Sequence, residues 1–149
     1  MKKGELLGKF LVLATNAHAG QFDKAGEPYI LHVLEVLHGI REQDEELQCI
    51  AVGHDLFEDT KTTVEDLVEI GATDRIVTGI LSLTKQNGES YKNYKKKVLS
   101  SADAMIVKKS DLRHNSDIRR LKGITQKDID RQAKYMAFYT EIEQEQRSR

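Results

Sequence analysis

The stretch Val52-Gly53-His54-Asp55-Leu56-Phe57-Glu58-Asp59-Thr60 gathers one imidazole and three carboxylates in the middle of an apolar run. Residues three or four apart share a helix face. The pairs His54–Glu58, Asp55–Glu58 and Asp55–Asp59 all have that spacing, so the four groups are expected to face one cleft. Three negative charges packed together are unfavourable unless a cation neutralises them or water solvates them. Adjacent His and Asp offer a divalent metal one nitrogen and one oxygen ligand. A solvated acidic helix end after a histidine would carry the same residues, so the decision rests on the rest of the chain.

A metal needs ligands from more than one element. His32 lies between Leu31 and Val33, which predicts a ring tucked inward. A core histidine bonded to backbone fits that pattern equally well. Asp111 follows the apolar run Ala104-Met105-Ile106-Val107 and precedes Arg113-His114-Asn115. It reads as a ligand or as an arginine-paired surface carboxylate. Asn115, four residues on, would share its cleft. His32, His54, Asp55 and Asp111 together make a mixed nitrogen and oxygen set. That set suits Mn²⁺, Fe²⁺ or Zn²⁺ better than Ca²⁺ or Mg²⁺, and leaves room for water. Such an ion makes a bound water nucleophilic near neutral pH, with Glu58 or Asp59 accepting its proton. Lys24, Lys85 and Arg113 are candidate phosphate partners, or solvated surface cations. Lys92, Lys95, Lys96 and Lys97 read as a solvated helix face, His18 as structural or as a donor behind a ligand. His38 has no role, and His114 is open.

The elements that must position these groups read as helices throughout. Leu6, Phe10, Leu13, Ala14 and Ala17 form a stripe on a first helix, about Glu5 to His18. Residues 20–27 are a loop of turn formers. Pro28 suits the first turn of a second helix, about Tyr29 to Glu42. Asp44 can cap a third helix running into His54-Asp55, and Thr63 a fourth that ends at Gly71. A fifth spans about Thr73 to Leu83. Ser90 opens a lysine-rich helix to about Leu99, Asp103 starts one reaching Asp111 and on toward Leu121, and Thr125 caps the last. Residues 144–149 are expected to fray. No segment alternates with the period of a strand. The expectation is an all-α bundle of seven or eight helices, with residues 1–149 forming one domain.

Composition narrows the function classes. The chain has 149 residues, 39% hydrophobic and 32% charged, with a net charge of −1. A globular domain of that size buries a core unaided, and no basic field exists for nucleic acid or an anionic membrane. The single cysteine, Cys49, forms no internal disulfide and suits a reducing, cytoplasmic setting. The lysine–apolar start imitates a leader peptide, but Glu5 and Lys9 interrupt it, and no stretch is long enough to span a membrane.

Five patterns occur in order: Ala17-His18-Ala19-Gly20-Gln21, Gly26-Glu27-Pro28-Tyr29-Ile30-Leu31-His32, His54-Asp55-Leu56-Phe57-Glu58-Asp59-Thr60, Leu83-Thr84-Lys85 and Lys108-Lys109-Ser110-Asp111-Leu112-Arg113-His114-Asn115. Together they resemble the hydrolase domain of the RelA/SpoT family within the HD superfamily, and most of all its small stand-alone members. The resemblance implies that His32, His54, Asp55 and Asp111 are Mn²⁺ ligands and that Glu58 and Asp59 activate the attacking water. It implies that Asn115 holds a ribose and that Lys24 lies beside base and phosphates. Members of the family remove pyrophosphate from the 3′ position of ppGpp and pppGpp, and a metazoan relative acts on the 2′-phosphate of NADPH. Nothing here matches the synthetase domain of the long members, so synthesis is not expected. A small-molecule nucleotide is the expected partner; the oligomeric state is left open.

The chain departs from the family at Asp23, where arginine is frequent, at Val33 where proline is usual, at Ser110 where alanine is usual, and at Asp117 where arginine is common. Arg119 and Arg120 stand close enough to compensate for Asp117. The metal set is intact and the substrate-reading set is altered. The alternatives are therefore hydrolysis of another nucleotide (ppApp, NADPH or a nucleoside monophosphate) and a non-catalytic nucleotide sensor.

Overall fold

The computed structural model describes all of residues 1–149. Its helices are α1 Glu5–Ala17, α2 Tyr29–Ile40, α3 Glu45–Gly53, α4 Leu56–Asp59, α5 Val64–Glu69, α6 Asp74–Ser82, α7 Tyr91–Leu99, α8 Ala102–Asn115 and α9 Gln126–Ser148, with a 3₁₀ turn at Ile118–Arg120. The protein is all-α, as expected. Counting the single turn α4 by itself brings the helices to nine. The one β feature is an isolated bridge between Phe22 and Pro28 across the loop before α2.

Short polar side chains start the helices by accepting the unpaired N–H groups of the first turn. Asp44 accepts from Leu47, Thr73 from Ile76 and Ser90 from Asn93, while Thr63 and Thr125 each form a reciprocal capping box with the aspartate three residues on. The cap of α8 is Ser101, not Asp103. Asp103 is drawn away by Arg75, whose Nε and Nη2 reach its carboxylate at 2.9 and 2.9 Å. Helix α2 stops at Ile40, short of Glu42, because Arg41 takes a left-handed conformation with φ 54°. Helix α9 runs to Ser148, and Arg149 donates to the Leu99 carbonyl at 2.7 Å.

The core is continuous and runs the length of the bundle. Phe10 and Ala14 of α1, Val33 and Val36 of α2, Ile50 to Val52 of α3, Ile80 of α6, Val107 and Leu112 of α8, and Phe138 and Ile142 of α9 are all buried in it. Helix α8 packs against both α2 and α9, and α3 against α1, α2 and α6. A Cβ on Gly79 would stand 2.5 Å from Ile50 Cδ1, so only glycine lets α6 lie this close to α3. These contacts set α2, the end of α3 and α8 side by side, with their ligand candidates on facing surfaces.

Candidate metal centre and nucleotide cleft

The sequence from Glu45 to Asp59 is not one helix. α3 ends at Gly53, the chain breaks at His54 and Asp55, and α4 restarts at Leu56. A Cβ on Gly53 would meet Ile80 Cδ1 at 2.6 Å, so this close approach seats the break against α6. Asp55 (φ −109°, ψ 1°) thereby turns its carboxylate back onto the ring of His54 rather than along a helix face.

His54 is buried, and its Nδ1 lies 2.7 Å from the Ala51 carbonyl. A carbonyl only accepts, so Nδ1 carries a proton in either charge state, and Nε2 is the nitrogen that offers a lone pair once the ring is neutral. That Nε2 is 2.9 Å from Asp55 Oδ2 and 3.5 Å from Asp111 Oδ1. Neither approach has hydrogen-bond direction, and the buried Nε2 has no hydrogen-bond partner. His32, 1% exposed, brings its Nε2 to 2.9 Å from Asp111 Oδ1. One donor atom from each of His32, His54 and Asp55 falls within 4.8 Å of the others. Two imidazole nitrogens and two carboxylates converging in a buried space, with His54 Nε2 left without a hydrogen-bond partner, are what a shared cation requires. The donor chemistry fits a divalent metal held by His32, His54, Asp55 and Asp111.

Each candidate ligand is held from behind. Tyr29 donates its hydroxyl to Asp55 Oδ2. Lys108 Nζ lies 2.9 Å from Asp111 Oδ2, and Asn115 Nδ2 donates to Asp111 Oδ1 at 3.0 Å. His32 Nδ1 sits 2.7 Å from His114 Nδ1. Electrostatics follow this packing. Burial opposes charge on His54, but Asp55 and Asp111 outweigh it and hold the ring well above the ordinary imidazole range. Burial likewise opposes charge on Asp111, yet Lys108 and the two imidazoles hold its carboxyl well below the usual range. Burial and the Asp55 charge push the Tyr29 hydroxyl up, so it stays a donor.

Glu58 and Asp59 lie at the lip, open to solvent. Glu58 accepts from the backbone N–H of Lys85, and the main-chain carbonyl of Asp59 accepts from Gln21 Nε2 at 2.8 Å. Partial shielding, with Asp55 as a like charge, raises both carboxyls above their ordinary values. Phe57, Glu58, Asp59, Lys85 and Asn87 line one open depression.

A second cleft, of about 290 Å³, opens beside Tyr29 and Asn115. Phe22, Asp23, Lys24, Asp117, Arg120, Arg131 and Tyr135 also line it. Lys24 lines this cleft, and burial with the nearby Arg131 charge lowers its pKa. Arg113 is not brought there. It points to the far side of α8, where Nη1 reaches the Gly39 carbonyl at 3.4 Å beside Glu35 and His38. Asp23 is fully engaged: Oδ1 accepts from the Ala25 and Glu27 N–H groups at 2.9 and 2.9 Å, and Oδ2 pairs with Arg120 at 2.6 Å. Asp117 pairs with Arg119 instead of facing the cleft freely, and its carboxyl falls to about 2. Ser110 donates to the Val36 carbonyl at 2.8 Å and so pins α8 to α2.

Tyr29, Lys108, Arg131 and Tyr135 were not predicted as site residues, and Arg120 only as a stand-in for an arginine at Asp117. Lys108 carried a signal, since it lies three residues before Asp111 and therefore on its face. Tyr29 stands three before His32 and had the same signal. The other three join the site only through tertiary packing.

No protein-family model matches the chain. Curated relatives do. It is 31% identical over 126 residues to a GTP pyrophosphokinase of Myxococcus xanthus, a match covering 74% of this chain and 17% of that protein. It is 34% identical over 116 residues to a guanosine-3′,5′-bis(diphosphate) 3′-pyrophosphohydrolase of Haemophilus influenzae, covering 70% of this chain and 17% of the relative. A protein of the same name from Aquifex aeolicus is 36% identical over 107 residues, 66% of this chain and 15% of its own length. The chain therefore spans about a sixth of these relatives. Among solved structures, a metazoan orthologue of SpoT described as hydrolysing ppGpp superposes with a TM-score of 0.77 at 20% identity, over 95% of this chain and 87% of that one. A helical bundle with a His–Asp centre between three of its helices defines an HD-type domain. The chain belongs to the RelA/SpoT family, and its match is to the hydrolase domain of that family.

Proposed function

We propose that residues 1–149 form one HD unit that hydrolyses the 3′-pyrophosphate of ppGpp or pppGpp with Mn²⁺ as its ion. Fe²⁺ and Zn²⁺ are alternatives that the same ligands admit. The observation that carries this reading is the convergence of His32, His54, Asp55 and Asp111, with His54 Nε2 buried and unpaired. The names of the H. influenzae and A. aeolicus relatives support the substrate class.

An ion bound there supplies a Lewis acid that lowers the pKa of water and offsets charge on the phosphoryl oxygens. The chain supplies the rest. Glu58 and Asp59, whose carboxyls burial and the Asp55 charge raise above their ordinary values, accept the proton of the attacking water. The water oxygen bonds to the phosphorus next to the ribose, the bond from that phosphorus to the 3′-oxygen breaks, and pyrophosphate departs. The 3′-oxygen takes up a proton from solvent water. Lys24 and Arg131 bind phosphate in the cleft, Asn115 positions the ribose, and Lys85 faces the departing pyrophosphate beside Glu58.

One observation favours a second reading on substrate. Every acceptor of Asp23 is committed to Ala25, Glu27 and Arg120, which alters the wall that would meet a base. ppApp, NADPH or a nucleoside monophosphate then becomes the substrate. The test is product release from ppGpp, pppGpp, ppApp, NADPH and GMP with Mn²⁺ present. Pyrophosphate from ppGpp or pppGpp is the expected result. Orthophosphate from NADPH or GMP alone, or pyrophosphate from ppApp alone, supports the second reading, and no release from any of them overturns both.

A further inference from the structure

His18 ends α1, outside the ligand set, and is 2% exposed. Its Nδ1 stands 2.8 Å from Gln21 Oε1, while Gln21 Nε2 donates to the main-chain carbonyl of Asp59 at 2.8 Å. The second bond fixes the amide, because a flipped Gln21 would set oxygen against a carbonyl. The ring therefore meets an acceptor and must donate from Nδ1. In the neutral ring Nε2 is then a bare acceptor. It is buried and makes no hydrogen bond, one of only two such side-chain atoms in the molecule; the other is Nε2 of the ligand His54. The ring also packs on Tyr29, 5.0 Å between centroids, whose hydroxyl holds Asp55. Buried acceptors are almost always satisfied, so this one calls for a donor that the fold itself does not provide.

We propose that His18 is a proton relay behind Asp59: Gln21 ties its ring to the Asp59 main chain, and the buried, unpartnered Nε2 accepts, through one bridging water, the proton that the Asp59 carboxylate takes from the attacking water. The balance is simple. Water loses a proton to Asp59, Asp59 passes it to Nε2, and the imidazolium returns it to solvent once pyrophosphate has left. The charge of a protonated His18 also acts on the Asp59 carboxyl, in the sense that favours its ionised form, against the larger effect of burial.

This inference rests on the hydrolase reading, and two measurements separate the fate of one from the other. The first needs no turnover. In ¹⁵N NMR of the whole chain, His18 is expected as the Nδ1–H tautomer, with an Nε2 resonance that moves in Asp59→Asn and stays in Glu58→Gln. An Nε2–H tautomer, or no response to Asp59→Asn, overturns the proposal whatever the enzyme assay gives. The second uses two amides. His18→Asn keeps the Nδ1-type donor and loses Nε2, whereas His18→Gln returns a polar atom near Nε2. With a hydrolysed substrate, His18→Asn should lower kcat about 10–100-fold with KM little changed, as for other residues that hold a ligand from behind, and His18→Gln should recover part of it. Equal loss in both, tracking a lower melting temperature with normal kcat per folded molecule, makes His18 structural and overturns the proposal.

Discussion

Glu58 and Asp59 stand beside the ligand set without belonging to it, and that separation can be measured. Glu58→Gln keeps the shape and the bond from the Lys85 N–H but removes the base. It should lower kcat by about 10²–10⁴-fold, while Mn²⁺ content and nucleotide affinity stay near those of the parent protein. Pyrophosphate release and metal analysis of the same preparation check both halves; a normal rate removes Glu58 from the chemistry. At this scale the sequence was informative about identity and poor about direction. His32, His54, Asp55 and Asp111 could be picked because apolar neighbours marked the buried pair and adjacency marked the other. Arg113 illustrates the opposite. Two residues beyond Asp111 on a helix is a turn of about 200°, so periodicity already set it on the far face, where it meets Gly39. Asp23 is a third kind of case: its partner Arg120 is remote in sequence, and no local pattern announces such a pair.

Among the elements, caps were the most legible feature. Asp44, Thr63, Thr73, Ser90 and Thr125 start helices where a short polar residue precedes an apolar period. The break after Gly53 was not legible, since the pattern from Leu47 to Phe57 is compatible with an unbroken helix. The break lies where α6 approaches Gly53, a tertiary contact that no local pattern announces. The same approach gives a stability prediction. In Gly79→Ala the new methyl meets three atoms of the buried Ile50, at 2.5, 2.9 and 3.2 Å. Overpacking costs about 1–3 kcal/mol, against which the better helix propensity of alanine returns up to about 1 kcal/mol. The net effect should be destabilising, seen as a lower urea midpoint with an unchanged m-value. A raised midpoint means that α6 has room to shift.

For the whole molecule, the centre joins α2, the α3–α4 break and α8, which lie far apart along the chain and close together only in the folded state. An ion that binds the folded chain alone must stabilise it. At a hundred times its dissociation constant Mn²⁺ should add about 2.7 kcal/mol, or roughly 5–10 °C in melting temperature for a domain of this size. Chelator should reverse the shift, and His54→Ala should abolish it; scanning calorimetry with and without EDTA reads all three. A shift that survives in His54→Ala would place the ion elsewhere. No helix is long and apolar enough to cross a membrane. The charge balance of −1 hides a local unevenness, because three cations, Lys24, Arg120 and Arg131, line one cleft with two carboxylates, Asp23 and Asp117, while further carboxylates gather at the centre beside it.

Lys108 gives that arrangement a further meaning. Its ammonium sits behind Asp111, and each holds the other in its charged form even though both are mostly buried. Part of the negative charge at the heart of the bundle is thus answered by the chain itself. Newly made protein should be able to complete its shape while still bare and then wait for an ion, so that a cell short of that ion would accumulate idle, intact molecules instead of losing them to unfolding.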